Sequence, residues 1–121
     1  MSPADLAYLD QKYDESFPSG LRWAGLVEVD TAYRWDPGTL LPGVAPEAVL
    51  GVEAPLWSET LTSMADVDQM AFPRLLGTAE LGWSPAGRVW AEYRGRPAAH
   101  GPRLDAAGVD FHRSPTVDWL P

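Results

Sequence analysis

Apolar residues along this chain come in short blocks separated by polar and Pro/Gly-rich stretches. Residues 5–10, DLAYLD, predict a short strand. Residues 11–20 are polar and close on Pro18, Ser19 and Gly20, which predicts a loop. Residues 27–35 predict a short helix, with Asp30 as N-cap and Asp36-Pro37-Gly38 as its stop. After a Pro/Gly-rich connection, residues 48–57 make the clearest strand, apolar on both faces as in a sheet covered on both sides. Met70, Leu75, Leu76, Ala79 and Trp83 recur at helical spacing and predict a helix over 66–83. It starts near Ser63, is capped by Asp66, and is kinked or restarted at Pro73, which lacks a backbone N–H. Ser84-Pro85-Ala86-Gly87 ends it. A second helix over 88–107 offers Trp90, Tyr93, Leu104 and Ala107 for burial, with breaks at Pro97 and Gly101-Pro102. The tail, 109–121, is irregular. Strands alternating with helices predict βα units and parallel pairing. Two parallel strands cannot cover themselves, so the pattern predicts the end of a larger α/β structure.

Composition narrows the classes. The 121 residues suit one ordinary domain. They fall short of the roughly 250 that a closed eight-stranded α/β barrel takes. The net charge is −8 and the basic residues are scattered, so no stripe meets phosphates and nucleic acid is not an expected partner. Without cysteine, disulfides and thiol chemistry are excluded and the redox compartment stays open. The start, MSPADLAYLD, does not read as a signal peptide, and no stretch approaches the ~20 apolar residues of a membrane span. No membrane partner is expected, and localisation is not legible. His100 and His112 have no partner at metal-ligand spacing, so neither a metal nor a cofactor is expected.

The candidate chemistry lies at the ends of the two predicted strands. Trp57 and Glu59 stand two residues apart, and Tyr8 with Asp10 repeats the pattern. On a strand such residues point the same way, so each pair aims a ring and an acid at one place. A flat apolar face with acceptors at its edge is what a sugar ring requires. Each residue also has a plainer reading. Trp57 alone is more often core than platform. Tyr8 and Asp10 alone make a strand edge and a turn, and Trp23 alone is core. Glu53 shares the face of Trp57 and Glu59 and, lying deeper, takes a structural role. Arg74 and Glu80 are expected in structural ion pairs. Tyr33, Trp35, Trp83, Trp90 and Trp119 are expected in packing, and both histidines at the surface.

Five segments, YLDQKYD (8–14), LRWAG (21–25), YRWDP (33–37), GVEAPLWSE (51–59) and FPRLLGTAELGWSP (72–85), resemble the C-terminal part of family 20 glycoside hydrolases, the β-N-acetylhexosaminidases, bacterial members above all. They occur in the family's order and cover nearly the whole chain. The resemblance implies an α/β fold, namely a C-terminal fragment of a (β/α)8 TIM barrel: its last two strands and the helices that follow. In this family the substrate's own 2-acetamido group attacks the anomeric carbon. An Asp-Glu pair on an earlier strand orients that group and protonates the leaving oxygen. The one such dipeptide in this chain, Asp14-Glu15, falls in the polar loop and reads as solvated charge.

The resemblance therefore carries over the sugar-binding half of a site. Tyr8 would donate to the acetamide carbonyl and steady the oxazolinium intermediate. Asp10 and Glu59 would accept from hydroxyls near C4 and C6. Trp57 would stack under the sugar, and Trp23 would wall the acetamide methyl. The expected partners are N-acetylhexosamine glycans and the rest of the barrel. The competing expectation is a non-catalytic module that self-associates to cover open strand edges.

Overall fold

The computed structural model describes residues 1–120. Among these residues six helices form: α1 (Ala4–Ala7), α2 (Val29–Tyr33), α3 (Met64–Ala71), α4 (Arg74–Trp83), α5 (Trp90–Tyr93) and α6 (Gly95–Ala106), with a 3-10 turn at Pro46–Ala48. Neither expected strand is a strand. Among the described residues the only β pairing is one isolated parallel bridge, Gln11 to Leu21. Where 5–10 was expected extended, α1 forms instead, with Pro3 at its cap position and Asp5 in its first turn. Tyr8 then leaves the helix in the β region. Residues 49–57 run without a ladder.

The two segments still meet, at other residues. The Met1 ammonium donates to the Gly51 carbonyl at 2.9 Å, and Glu53 N–H donates back to the Met1 carbonyl at 3.0 Å. These two bonds straddle Val52, as in a parallel pair. Farther on, Leu9 N–H donates to the Pro55 carbonyl at 2.8 Å. Between those contacts one segment winds through α1 and the other stays extended, so their registers diverge and no ladder can build.

Local capping sets the helices. Glu28, not Asp30, caps α2: its Oε1 accepts from Val29 N–H at 2.7 Å. Asp30 lies in the first turn and pairs with Arg34 one turn on. Ser63 caps α3, and Asp66 is the third helical residue of a capping box, so the helix starts two residues earlier than expected. Pro73 separates α3 from α4. Pro97 does not interrupt α6. It sits in the first turn, where a missing N–H leaves no bond unmade. The helix also continues through Gly101 and Pro102, with Gly101 packed against the Trp119 ring.

The core draws on segments with little regular structure. Tyr13 and Phe17, from the polar loop, join Val29, Met70, Ala98 and Val117 in one buried cluster. Ala7, Trp35 and Leu81 form a second, with Met1 and Val52 against it. The irregular tail buries Phe111, Ser114 and Val117.

Two acids at helix starts make the fold acid-sensitive. Burial pushes the Glu28 carboxyl up, but contacts with His112 and the Val29 N–H outweigh this and hold it below its usual range. Donors from Thr62 and Ser63 hold Asp66 low as well. Depressed folded values mean stability that is present above the unfolded pKa and lost as pH falls through the folded one. Thermal midpoints should therefore drop as pH falls below about 4, and Asp66→Asn should flatten that drop. A pH-independent midpoint across that window would contradict this assignment.

Candidate functional site

The first site segment is stitched to a hairpin-like loop by alternating backbone bonds. Leu21 N–H donates to the Asp10 carbonyl at 2.8 Å, Lys12 N–H to Leu21 at 2.8 Å, and Val27 N–H to Lys12 at 2.8 Å. Between these anchors residues 22–26 turn outward, helped by Gly25 at φ 120°, in the left-handed region open to glycine. The turn carries Trp23 to the Tyr8 ring, edge-on, with centroids 6.1 Å apart and planes at 85°. Trp23 remains 65% exposed and is not a core residue. Trp57 is 55% exposed, and Glu59 is exposed on the same segment. Two tryptophans left largely open run against the burial that so large a ring ordinarily gains.

Asp10 is the opposite case, only 1% exposed. Its Oδ2 accepts from Gln11 Nε2 at 3.1 Å, while its buried Oδ1 has no partner. The Gln11 amide is fully buried, and its Oε1 accepts from Ala24 N–H at 3.2 Å. The structure thus brings Tyr8, Asp10 and Trp23 together. Trp57 and Glu59 make no hydrogen bond or ring contact with those three among the described residues. They are held alongside by the Leu9–Pro55 bond and by Gly20 N–H donating to Thr60 Oγ1 at 2.8 Å.

Beneath this edge lies Arg74, fully buried. Among the described residues it makes no ion pair, contrary to the sequence expectation. Its Nη1 donates to the carbonyls of Gln11 (2.7 Å) and Val27 (3.0 Å), and its Nη2 to those of Leu9 (2.5 Å) and Met70 (2.7 Å). Its guanidinium lies 3.8 Å from the Tyr13 ring centroid. Burial pulls the Arg74 value down, with Tyr13, Glu28 and Asp10 acting against the fall. Burial also pushes the Tyr13 hydroxyl up to about 12, so it stays protonated and donates to the Gln69 and Phe72 carbonyls. Arg74 opens α4, where the helix dipole disfavours a cation. That mismatch is the one sequence signal of its special role; Gln11 gives none.

Other residues depart from expectation. Glu53 is exposed rather than buried, with Ser2 Oγ 3.4 Å away. Trp83 is 93% exposed instead of packed. His112 is not a surface residue: its ring lies 4.1 Å from that of Tyr13. Its Nε2 is 3.8 Å from Glu28, too long for a hydrogen bond. Glu80 does pair, with Arg96, and also accepts from the Tyr33 hydroxyl. The Asp14-Glu15 dipeptide is tied up locally: Asp14 accepts from Ser16 N–H and Oγ, and Glu15 pairs with Arg22. A cleft of about 660 Å³ between Tyr33, Arg34, Asp36, Arg88 and Trp90 contains none of the five predicted residues. The site is an open edge, not a closed cavity.

Comparison with known proteins gives concordant matches. The profile "Glycosyl hydrolase family 20, catalytic domain" matches residues 1–86. A β-N-acetylhexosaminidase of Cellulomonas fimi is 49% identical over 120 residues, covering 98% of this chain and 24% of that protein. Among solved structures, the N-acetyl-β-hexosaminidase of Streptomyces plicatus in complex with Thio-NAglucal superposes with a TM-score of 0.95 at 57% identity. The family 20 β-N-acetylhexosaminidase of Streptomyces coelicolor A3(2) gives 0.96 at 56%. In both, the match covers 98% of this chain and 24% of the other. The chain spans about a quarter of the length of these relatives.

Proposed function

The chain belongs to glycosyl hydrolase family 20 and matches part of that family's barrel catalytic domain; from this premise we propose that it supplies one wall of the −1 sugar subsite of a β-N-acetylhexosaminidase. In this reading it is the C-terminal part of the barrel, with residues near Met1 and Gly51–Glu53 at its last two strands. Tyr8 donates to the acetamide carbonyl, Trp23 walls the acetamide methyl, Trp57 stacks under the ring, and Asp10 and Glu59 accept from ring hydroxyls. The rest of the barrel brings the Asp-Glu pair that completes the substrate-assisted reaction. One observation carries the reading: the exposed Trp23 ring meets the half-buried Tyr8 ring two residues from a sunken carboxylate with an oxygen to spare. That oxygen is covered in the chain alone, and a ligand hydroxyl that reached it would satisfy it.

Titration of the ¹⁵N-labelled chain with N-acetylglucosamine tests it. Millimolar binding, worth about 4 kcal/mol, should move the Trp23 and Trp57 indole resonances. Trp57→Ala should abolish it. Unmoved indoles at saturating sugar would leave only a structural module. Leu50 and Trp83, almost wholly exposed, favour a second reading in which apolar side chains drive self-association. A dimer in sedimentation, with no sugar response, would support that reading instead.

A further inference from the structure

We propose that Gln11 is a positioning residue that locks the Asp10 carboxylate to the Trp23 loop, so that acid and indole hold one geometry or lose it together. The proposal rests on the sugar-wall reading above but is tested separately from it. Both ends of the Gln11 amide are used. At one end Ala24 contributes a backbone N–H, which can only donate, so the Gln11 oxygen must face it. That leaves the NH2 group toward Asp10, whose Oδ2 accepts from it at 3.1 Å. The chemistry of the two partners fixes which way the amide points.

The amide cannot swing away. The side chain is fully buried, Arg74 grips the Gln11 carbonyl at 2.7 Å, and the residue is bridged to Leu21. The bond to Oδ2 sets the plane of the Asp10 carboxylate and hence the direction of the unpartnered Oδ1. Ala24 adjoins Trp23, Trp23 touches Tyr8, and Gln11 N–H reaches the Tyr8 carbonyl at 3.4 Å. Tyr8, Trp23, Ala24 and Gln11 therefore form a closed circuit, from which the Asp10 carboxylate is held by the Gln11 amide. Turning the carboxylate strains the Ala24 contact, and moving the loop frees the carboxylate.

Gln11→Met keeps the length and removes both bonds. Gln11→Glu keeps the acceptor for Ala24 but faces Asp10 with a second acceptor. In the 121-residue chain, Asp10→Asn should shift the Trp23 indole resonance while Gln11 is present, and should leave it unmoved in the Gln11→Met background. This readout needs no sugar, so it stands even if the sugar-wall reading fails. Where sugar binds, either Gln11 variant should weaken it about tenfold, and Asp10→Asn should add less in the Gln11→Met background than alone. In the unsubstituted chain the Gln11 side-chain amide protons should exchange slowly with solvent, which decides the matter even if a variant does not fold. Fast exchange of those protons, an indole shift that survives Gln11→Met, or simply additive losses would each overturn the proposal.

Discussion

Replacing Arg74 with methionine should destabilise the chain by at least about 3 kcal/mol and bring it close to unfolding. The side chain is fully buried and, among the described residues, hydrogen-bonds to no carboxylate. Its charge is balanced instead by four backbone carbonyls and by the Tyr13 ring. Methionine fills similar volume but donates nothing. The carbonyls of Leu9, Gln11, Val27 and Met70 all lose their Arg74 donor deep in the protein, since the single Tyr13 hydroxyl proton is drawn to the nearer Gln69 carbonyl at 2.8 Å. Each such group costs ~1–3 kcal/mol. Relief from burying a charge offsets part of this. A small domain has only ~5–15 kcal/mol in total, so the remainder is decisive. Lysine should not rescue, because one ammonium cannot span four acceptors as the planar fork does. Urea unfolding followed by tryptophan fluorescence checks this. A methionine variant with an unchanged midpoint would show that the four bonds contribute nothing net.

That hub was hidden from sequence reading for a physical reason. Arg74 meets Leu9, Gln11 and Val27 across 65, 63 and 47 residues of chain, distances no periodicity records. What was legible was local. The start of α3 was legible to within two residues, although Ser63 and not Asp66 is its cap, and its end follows from Pro73. The expected strands depended on remote partners, and most of the pairing is missing among the described residues. Strand logic failed with them. Tyr8/Asp10 and Trp57/Glu59 share one pattern, yet Asp10 is sunk and Glu59 exposed, because neither lies on a pleated strand. The proximity of Tyr8 to Trp23 came from family resemblance alone. Its cause is the stitching of residues 10–12 to 21–27, including a Gln11 that nothing in the sequence singles out.

The purified chain should leave an aryl N-acetylglucosaminide essentially uncleaved. If the proposed roles hold, Tyr8, Asp10, Trp23, Trp57 and Glu59 bind and orient a sugar but hand no proton to the leaving oxygen. A positioned general acid accounts for about 10²–10⁴ in rate, and fixed dipoles at developing charge for a further ~10²–10³. Losing the acid and the acetamide-orienting Asp together should lower turnover by about 10⁴ or more from the ~10 s⁻¹ of an ordinary enzyme. The only Asp-Glu dipeptide here cannot substitute. Ser16 donors hold Asp14 below its usual range, whereas a general acid must keep its proton near neutral pH, and Glu15 is paired with Arg22 at the surface. Adding a separately expressed barrel portion that carries an apolar strand ending in Asp-Glu should raise turnover, and Tyr8→Phe in this chain should cut the gain. The sharpest contrary result is turnover by the chain alone that Glu15→Gln removes. The loop dipeptide would then be the acid, and the sugar wall would have to be rebuilt around residues 14 and 15.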